Sequence, residues 1–280
     1  MTTGKPVKVR EVWADNLVYE FFLIKQSISQ FSLVALDTEF PGTLFQLTLD
    51  KSLLSQAPPS VNYLLMKCNV DLLKIIQLGM TLSDSQGNLP SLGSEFHYVW
   101  QFNFRDFDIE HDSYNEESIE LLECHGIDFK KNREKGINSS DFARLVLSSG
   151  LVFNNSSISW ITFHGAYDFG FLIKILTKQK LPSNVSSFLA LMKYFFGDRV
   201  YDTKFMMGTI RGLVGGLERV AKLLGVERIT GSRHQAGSDS LLTLQTFAGK
   251  GLLVHTYKRF IGSASNPGEG IAYGVGVSGQ

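Results

Sequence analysis

The chain is arranged around one stretch, Leu33-Val34-Ala35-Leu36-Asp37-Thr38-Glu39-Phe40-Pro41-Gly42. Its first four residues are an apolar run that predicts a buried strand, and Pro41-Gly42 predicts a turn directly afterwards. Side chains two positions apart on a strand face the same side, so the carboxylates of Asp37 and Glu39 can reach one point. Two anions this close repel each other unless a cation lies between them, which predicts a divalent metal site at the strand end.

Length and composition predict an ordinary globular protein. The chain has 280 residues, of which 44% are hydrophobic and only 7 are proline, enough for a sizeable core. Its 27 basic and 27 acidic residues give zero net charge. That balance argues against coating nucleic acid through bulk positive charge, but it does not exclude a nuclease whose metals act locally.

The sequence carries no visible targeting or membrane segment. Residues 1–15 have mixed charges and no apolar signal region, and no uninterrupted apolar run reaches the length of a membrane span. The two cysteines, Cys68 and Cys124, are too few for a disulfide framework and predict reduced, packed thiols. We therefore predict an intracellular protein of the cytoplasm and nucleus, with no membrane partner.

Apolar periodicity predicts antiparallel strands in the first half and alternating strands and helices in the second. Predicted strands cover residues 33–37, 43–49, 75–82, 97–104, 160–164 and 200–202. Predicted helices cover residues 15–29, 69–77, 113–123, 140–148, 168–176, 217–224 and 235–247, with a loop over 51–63 and a solvated or phosphate-binding turn over 130–135. This order predicts an α/β fold, a mixed sheet flanked by helices. We expect a single domain over residues 1–262 and a flexible Gly/Ser-rich tail over 263–280.

Three further residues meet the needs of a metal site. Asp168 follows the predicted strand 160–164, Asp239 lies near the start of the last predicted helix, and His234 precedes that helix. Each alone has an ordinary explanation, because aspartates stabilise helix starts and a lone histidine is commonly structural. Together with Asp37 and Glu39 they supply four carboxylates and an imidazole.

This set predicts a hard oxygen site for two Mg²⁺ or Mn²⁺ ions. Two ions bridged by shared carboxylates support in-line displacement at phosphorus, and a nearby histidine supplies the general base. We assign the bridging position to Asp37, because it has acidic partners on both sides. An aspartic protease is excluded, because Glu39 stands where that active site requires glycine.

Six segments carry a family resemblance: residues 10–17, 37–42, 68–79, 100–104, 167–170 and 234–243. They resemble the DEDD exonucleases that have histidine in the third motif, and most of all the catalytic deadenylase subunit of the CCR–NOT complex, the CCR-associated-factor family. The resemblance implies a ribonuclease-H-like fold and a poly(A)-specific 3′→5′ exoribonuclease that shortens messenger RNA tails and releases 5′-AMP. It spans nearly the whole chain.

The resemblance also implies individual roles. The implied metal ligands are Asp37, Glu39, Asp168 and Asp239. His234 would orient or deprotonate the attacking water, and Phe40 and Phe169 are candidates for stacking on adenine. The implied partners are the poly(A) tail, the Not scaffold subunit and a leucine-rich-repeat deadenylase, with residues 68–73 in the docking surface.

Two alternatives stay open at this point. One is the same chemistry on DNA, because the acidic ligands do not read the sugar; the other is a mainly scaffolding role in the complex. Two departures from the family pattern are expected to affect substrate handling near the site. Gly165-Ala166 stands where the family has Ser-Gly, and residues 92–98 look longer than usual before Trp100.

Overall fold

The computed structural model describes residues 4–46, 58–153, 157–208, 210 and 212–248. Its strands are β1 (Val7–Val12), β2 (Leu33–Glu39), β3 (Gln77–Ser83), β4 (His97–Asn103), β5 (Ser159–Thr162) and β6 (Val200–Asp202). Its helices are α1 (Leu17–Ser27), α2 (Pro59–Leu72), α3 (Glu116–Cys124), α4 (Phe129–Lys135), α5 (Ser139–Ser149), α6 (Ala166–Thr177), α7 (Val185–Phe196), α8 (Thr203–Met207), α9 (Leu217–Leu223) and α10 (Ala236–Ala248). The predicted tail and the last part of the predicted domain, residues 249–262, lie outside the described ranges.

The strands form one mixed sheet in the order β1-β4-β3-β2-β5-β6. Strand β3 pairs antiparallel with both β2 and β4, in agreement with the antiparallel strands predicted for the first half of the chain. Strand β1 lies parallel to β4, β5 parallel to β2, and β6 parallel to β5. The predicted mixed sheet is confirmed. Among these strands only β3 runs against the others, so the carboxyl ends of β2, β5 and β6 meet at one edge.

The two faces of β2 are covered by different helices. Val34 and Leu36 belong to the large core, which contains residues of α1, α2, α5, α6 and α7. Ala35 points to the other face, where Leu241 and Leu244 of α10 belong to the same cluster. Helix α10 therefore covers the odd-numbered side of β2, the side on which Asp37 and Glu39 also lie.

Helix α1 buries a charged residue. The apolar side chains of Val18 and Phe22 are exposed, whereas that of Glu20 is only 3% exposed. The Glu20 carboxylate accepts hydrogen bonds from Arg10 Nε at 2.6 Å, Arg10 Nη2 at 2.7 Å and Trp100 Nε1 at 3.0 Å. These donors offset the cost of burying the charge and attach α1 to β1 and β4.

The predicted strand over residues 43–49 is not formed in its described part, residues 43–46. Instead, the backbone amides of Leu44 and Phe45 donate to Asn69 Oδ1 at 2.8 and 2.9 Å. That side chain replaces a neighbouring strand as the acceptor. Residues 47–49 lie outside the description.

Several helices differ from the prediction. Helix α2 begins within the predicted loop, with Pro59 in its first turn, a position that needs no amide donor and suits the fixed φ of proline. Residues 130–135 belong to α4, which Asp128 caps by accepting from Lys131 N at 2.9 Å. Strand β1 and helices α7 and α8 were not predicted. Within the described ranges, no helix is long and apolar enough to cross a membrane.

Candidate active site

Asp37 and Glu39 end β2 on the face that α10 covers. In the antiparallel pair with β3, Asp37 lies opposite Gly79 and Glu39 lies opposite Gln77. Both acidic residues are half-buried. The structure thus places the two carboxylates at one corner of the sheet, as the strand alternation predicted.

Gly79 lets the start of α10 lie directly on the sheet beside Asp37. A Cβ atom at Gly79 would lie 1.8 Å from the carbonyl oxygen of Ala236 and 2.6 Å from the amide nitrogen of Gly237. Only a residue without a side chain permits this approach. The close packing is what brings Asp239, in the first turn of α10, to the end of β2.

His234 and Asp239 meet Glu39 at this point. The backbone amide of His234 donates to Asp239 Oδ2 at 3.0 Å. His234 has a φ of +56°, a left-handed conformation that is uncommon for a residue other than glycine. Ligand atoms of Glu39, His234 and Asp239 all lie within 4.8 Å of one another. His234 therefore lies beside Glu39 and Asp239, on the loop before α10.

Asp168 reaches the site from the opposite face of the sheet. It lies in the first turn of α6, whose N-cap is Gly165, so Asp168 is not itself the cap. It is buried, and its Oδ1 atom accepts a 2.6 Å hydrogen bond from Thr38 Oγ1. Thr38 stands between the two acidic residues of β2, so this bond fixes Asp168 beside them.

Asp202 stabilises the turn that leads into α6. Its carboxylate oxygens accept from the backbone amides of His164 and Gly165, each at 3.0 Å. A Cβ atom at Gly165 would lie 2.2 Å from Thr162 Oγ1. In this chain glycine therefore fits the first position of the Gly165-Ala166 pair, and the departure from the family pattern does lie at the site.

The other departure lies far from the acidic residues. Residues 92–96 precede β4, which begins at His97, whereas its last residue, Asn103, pairs with Gln77 beside Glu39. The length of β4, about 20 Å at 3.3 Å per residue, separates this segment from the site. The segment therefore lies at the opposite end of β4 from the acidic residues, and its effect on substrate handling stays a prediction.

The carboxyl groups repel one another strongly. Burial raises the pKa of Asp37 well above its ordinary value, and the charges of Asp239, Asp168 and Glu39 raise it further. The pKa of Glu39 is also raised well above normal by burial and by Asp239 and Asp168. Burial raises the pKa of Asp168 to about 7, although the Thr38 hydrogen bond opposes the shift. Protons or cations must therefore compensate this cluster at neutral pH.

Arg228 supplies one positive charge that no sequence pattern indicated. Its Nη2 atom lies 2.5 Å from Asp239 Oδ1, and its Nε donates to Glu218 Oε1 of α9 at 2.9 Å. The guanidinium also donates to Ser238 Oγ and lowers the pKa values of Asp37 and Glu39. Arg228 lies between α9 and α10 with no periodic pattern around it, so only the fold reveals its contact with the site.

His125 is a second residue that sequence reasoning missed. Its ring meets the ring of His234 edge to face, with centroids 4.9 Å apart, and its carbonyl accepts from Gln235 Nε2 at 2.9 Å. The pKa of His234 is lowered by burial first, then by the charges of His125, Arg233 and Arg228. At neutral pH the His234 imidazole is therefore uncharged and able to accept a proton.

The residues fit hard divalent cations. Four carboxylates converge from β2, α6 and α10, and the pKa of each is raised partly by the charge of another acidic residue. Ligand atoms of Glu39, Asp239 and His234 lie within 4.8 Å of one another, the spacing of a group that could hold a metal ion. Cations among these oxygens would remove the mutual repulsion, and oxygen ligands are those that Mg²⁺ and Mn²⁺ prefer.

The two phenylalanines predicted to stack on bases differ in their surroundings. Phe169 is 2% exposed and packs against Phe196, with ring centroids 5.0 Å apart. A ring buried in the core has no free face for a base, so the stacking role predicted for Phe169 does not fit. Phe40 is half-buried and stacks on Tyr167 at 5.1 Å and 12°, so it remains a candidate.

Comparison with known proteins identifies relatives along most of the chain. The family described as CAF1 family ribonuclease matches residues 12–143. The probable CCR4-associated factor 1 homolog 10 of Arabidopsis thaliana is 48% identical over 97% of this chain and 93% of its own length. The poly(A) ribonuclease pop2 of Schizosaccharomyces pombe is 42% identical over 85% of this chain and 68% of its own length.

Solved structures agree with these sequence matches. The Mg²⁺- and Mn²⁺-bound form of S. pombe Pop2p has a TM-score of 0.77 at 42% identity, over 85% of this chain and 90% of that chain. Yeast CAF1, co-crystallised with the NOT1 MIF4G domain, has a TM-score of 0.70 at 36% identity, over 86% of both chains. By sequence identity over nearly its full length, the chain belongs to the CAF1 family of ribonucleases.

Proposed function

We propose that the protein is a 3′→5′ poly(A) exoribonuclease that shortens messenger RNA tails as the catalytic subunit of the CCR4–NOT complex. One observation carries the proposal: Glu39, His234 and Asp239 converge within 4.8 Å, and Asp37 and Asp168 complete the site, in a chain of this family. The neutral net charge suits an enzyme that grips a few terminal nucleotides rather than a long stretch of backbone.

The four carboxylates, Asp37, Glu39, Asp168 and Asp239, would hold two divalent ions. Asp37 takes the shared position in this assignment, since the charges of the three other acidic residues all act on it. When bound, the ions make a water molecule more acidic and stabilise negative charge on the leaving oxygen. A cation site of this kind also explains why the fold concentrates four like charges.

His234 acts as the general base in this proposal. Its uncharged imidazole takes a proton from water, the water oxygen bonds to phosphorus, and the bond to the 3′ oxygen of the preceding nucleotide breaks. That oxygen takes up a proton and becomes the new 3′-hydroxyl, while 5′-AMP leaves. Asp239 accepts from the backbone amide of His234 and so keeps the base beside the acidic residues.

The substitution Asp37→Ala tests the mechanism. We expect shortening of a 5′-labelled oligo(A) RNA in Mg²⁺ or Mn²⁺ to fall at least about a hundredfold, because the shared ligand is lost. Asp15→Ala, which removes an exposed carboxylate, serves as the control and should stay active. Undiminished activity in a purified Asp37→Ala preparation would overturn the proposal.

The same reaction on DNA is the nearest alternative. Matched oligo(A) and oligo(dA) in direct competition separate the two, because contacts to the 2′-hydroxyl decide this preference. We expect the RNA to be degraded preferentially.

Phe40 is the side chain that we propose stacks on the terminal base, so Phe40→Ala should raise KM more than it lowers kcat.

We propose that the exposed face of α2 docks on the Not scaffold. Leu64 and Leu72 are 54% and 47% exposed, and Cys68 lies between them at helical spacing. The relative co-crystallised with a NOT1 MIF4G domain supports this kind of partner. We propose a leucine-rich-repeat deadenylase as a further subunit, and residues 68–73 as part of the docking surface.

A charge on this face tests the docking. Leu72→Glu should abolish capture by a purified NOT1 MIF4G domain while cleavage of free oligo(A) continues, because α2 lies outside the catalytic residues. Leu121→Glu on α3, also 39% exposed, is the matched control. Unchanged capture of Leu72→Glu would exclude this face.

A mainly scaffolding role makes a different prediction in cells. Replacement of the gene by the Asp37→Ala variant should slow tail shortening if catalysis matters, and should leave it normal if the chain only bridges subunits.

We further propose that the protein acts in both cytoplasm and nucleus, which imaging of a fluorescent fusion would test. Its two thiols are free, as expected in reducing compartments.

A further inference from the structure

A hydrogen-bonded group of side chains lies beneath the start of α10 and joins it to β1, β3 and β4. Its three amide side chains are almost fully buried: Gln77 is 4% exposed, Gln101 is 2% and Asn103 is 1%. Glu11, an exposed residue of β1, lies at the far end of the group. None of these residues was assigned a role above.

Two branches run from the Glu11 carboxylate. In the first, Gln101 Nε2 donates to Glu11 Oε1 at 3.0 Å, and Gln101 Oε1 accepts from the backbone amide of Gly237 at 3.0 Å. In the second, Asn103 Nδ2 donates to Glu11 Oε2 at 2.7 Å, and Gln77 Nε2 donates to Asn103 Oδ1 at 2.7 Å. Gln77 Oε1 then accepts from the amide of Ala236 at 3.4 Å.

The carboxylate sets the direction of both branches. An ionised carboxylate only accepts hydrogen bonds, so it turns the NH₂ groups of Gln101 and Asn103 towards β1. Their oxygens must then face the other way, and Asn103 in turn orients Gln77. As a result, two amide oxygens face two successive N–H groups in the first turn of α10, which have no partner within the helix.

We propose that Glu11 is a positioning residue for Asp239, acting through these two branches on the first turn of α10. Asp239 follows Gly237 by two residues, and the same turn lies against Gly79 with no spare space. A change in the acceptors offered to Ala236 and Gly237 therefore moves the carboxylate that the proposed function assigns to the metals. The inference rests on that proposed function for its effect on metal binding.

The isosteric substitution Glu11→Gln is the sharpest test. The new side-chain amide would offer one acceptor to two NH₂ groups. The NH₂ group of Asn103 keeps two weak backbone acceptors, Val12 O at 3.4 Å and Gln101 O at 3.5 Å, so we expect the first branch to reverse and present a donor to Gly237. We expect amide hydrogen exchange at Ala236 or Gly237 to speed up about tenfold or more. Calorimetry of the RNA-free enzyme should show Mn²⁺ affinity about tenfold weaker, the size typical of losing a support behind a metal ligand.

A compensating substitution distinguishes orientation from simple loss of contact. In Glu11→Gln/Gln101→Glu the carboxylate moves one step along the first branch, and every donor again has an acceptor. We expect the double variant to recover exchange protection at Gly237 relative to Glu11→Gln. Asp15→Asn removes the same charge from an exposed position nearby and should change neither measurement.

Three outcomes would overturn the inference. They are unchanged exchange at both amides in Glu11→Gln, faster exchange with unchanged Mn²⁺ affinity, or an equal effect of Asp15→Asn. If Glu11→Gln does not fold, Gln101→Met, which removes the acceptor for Gly237 together with the donor to Glu11, makes the same prediction for that amide. If wild-type protein binds no Mn²⁺, the proposed function fails, while the exchange result still decides the role of Glu11.

Discussion

Arg228 brings a positive charge of the protein itself into contact with the acidic residues. Its side chain is 14% exposed and that of its partner Asp239 is 11% exposed, so water screens the pair only weakly. Removal of one member of a buried pair is costly, because the other charge stays buried without a partner. Arg228 should therefore contribute most to stability when no metal ion neutralises the same carboxylates.

The substitution Arg228→Met tests this role. We expect it to lower the free energy of unfolding by about 3 kcal/mol in EDTA, because Asp239 and Glu218 lose their partner. In saturating Mn²⁺ the loss should be smaller, since bound cations offset the same carboxylates. Chemical denaturation with and without Mn²⁺ measures both values.

An exposed ion pair on the surface is the control for the buried pair of Arg228 and Asp239. Arg144 and Asp141 lie 3.4 Å apart with side chains 66% and 59% exposed, and such pairs contribute at most about 1 kcal/mol. Arg144→Met should leave stability almost unchanged in both conditions. An Arg228→Met loss that is the same with and without Mn²⁺ would contradict the proposed charge compensation.

Single residues were predictable where local structure fixes their direction. Asp37 and Glu39 follow from strand alternation, and Asp168 and Asp239 from their places in first turns of helices. Arg228 and His125 were not predictable, because their contacts depend on the path of the chain between elements. The base-stacking role predicted for Phe169 does not fit, because its position next to Asp168 in the sequence does not show which side of α6 faces the core.

At the scale of elements, the site depends on how closely α10 lies on β3. The carbonyl of Ala236 occupies the space that a side chain at Gly79 would need. Protein interiors have little room to absorb such a change. The packing of one helix on one strand therefore sets the position of Asp239 relative to Asp37.

Gly79→Ala should disrupt this packing. We expect a loss of about 2 to 3 kcal/mol in the free energy of unfolding, the upper range for overpacking, because the new Cβ meets backbone rather than a movable side chain. Mn²⁺ affinity should fall as well, because α10 must shift. Urea denaturation and calorimetry measure the two effects.

Gly216→Ala is the matched control. A Cβ at Gly216 meets nothing within 4 Å, and its backbone is extended, with φ −81° and ψ 173°. The control should retain wild-type metal affinity and lose at most about 1 kcal/mol of stability, because Gly216 is the N-cap of α9 and alanine is a poorer cap than glycine. Equal effects at Gly79 and Gly216 would mean that the loss arises from glycine replacement in general.

Elements with strong periodicity were predictable, and weakly patterned ones were not. Strands β2, β4 and β5 carry apolar runs or clear alternation. Strand β1 reads Val-Lys-Val-Arg-Glu-Val with three charged residues, and it is held by pairing with β4, a partner about ninety residues away along the chain. The start of α2 was missed because Pro58-Pro59 suggests a loop until Pro59 is placed in a first turn.

At the scale of the whole molecule, zero net charge hides a local excess of acid. The 27 acidic residues balance the 27 basic ones overall, yet four carboxylates share one corner of the sheet. Aspartate in an unfolded chain has a pKa near 3.9, whereas the folded value for Asp168 is about 7. Between these values the folded protein binds more protons than the unfolded one.

The sign of this difference predicts a pH dependence for metal-free protein. Because the folded pKa is the higher one, its contribution to stability is present at low pH and is lost as pH rises towards 7. When the pH is raised from 5.5 to 7 in EDTA, the free energy of unfolding should fall by about 2 kcal/mol more in wild type than in Asp168→Asn. Saturating Mn²⁺ should weaken the trend, since cations compete with protons for the same oxygens.

The titration of His234 changes stability with pH in the opposite direction, but this contribution is present in both wild type and Asp168→Asn. Its pKa is lowered by burial, so its contribution is lost as pH falls below about 6.5, and it largely cancels in the comparison. Asp15→Asn provides the control for charge removal alone. Parallel pH profiles for wild type and Asp168→Asn would show that Asp168 does not take up a proton on folding.

The order of elements along the chain has a consequence for protein synthesis. Within the described ranges, every strand of the sheet precedes residue 203, whereas His234 and Asp239 belong to the later segment that ends in α10. A chain growing on the ribosome can thus build its sheet, with Asp37 and Glu39 in place, before Asp239, the last of the proposed metal ligands, has been made. In the proposed mechanism the nascent protein lacks a complete centre until α10 emerges and packs on Gly79, so we expect it not to degrade RNA before then, including the messenger from which it is being translated.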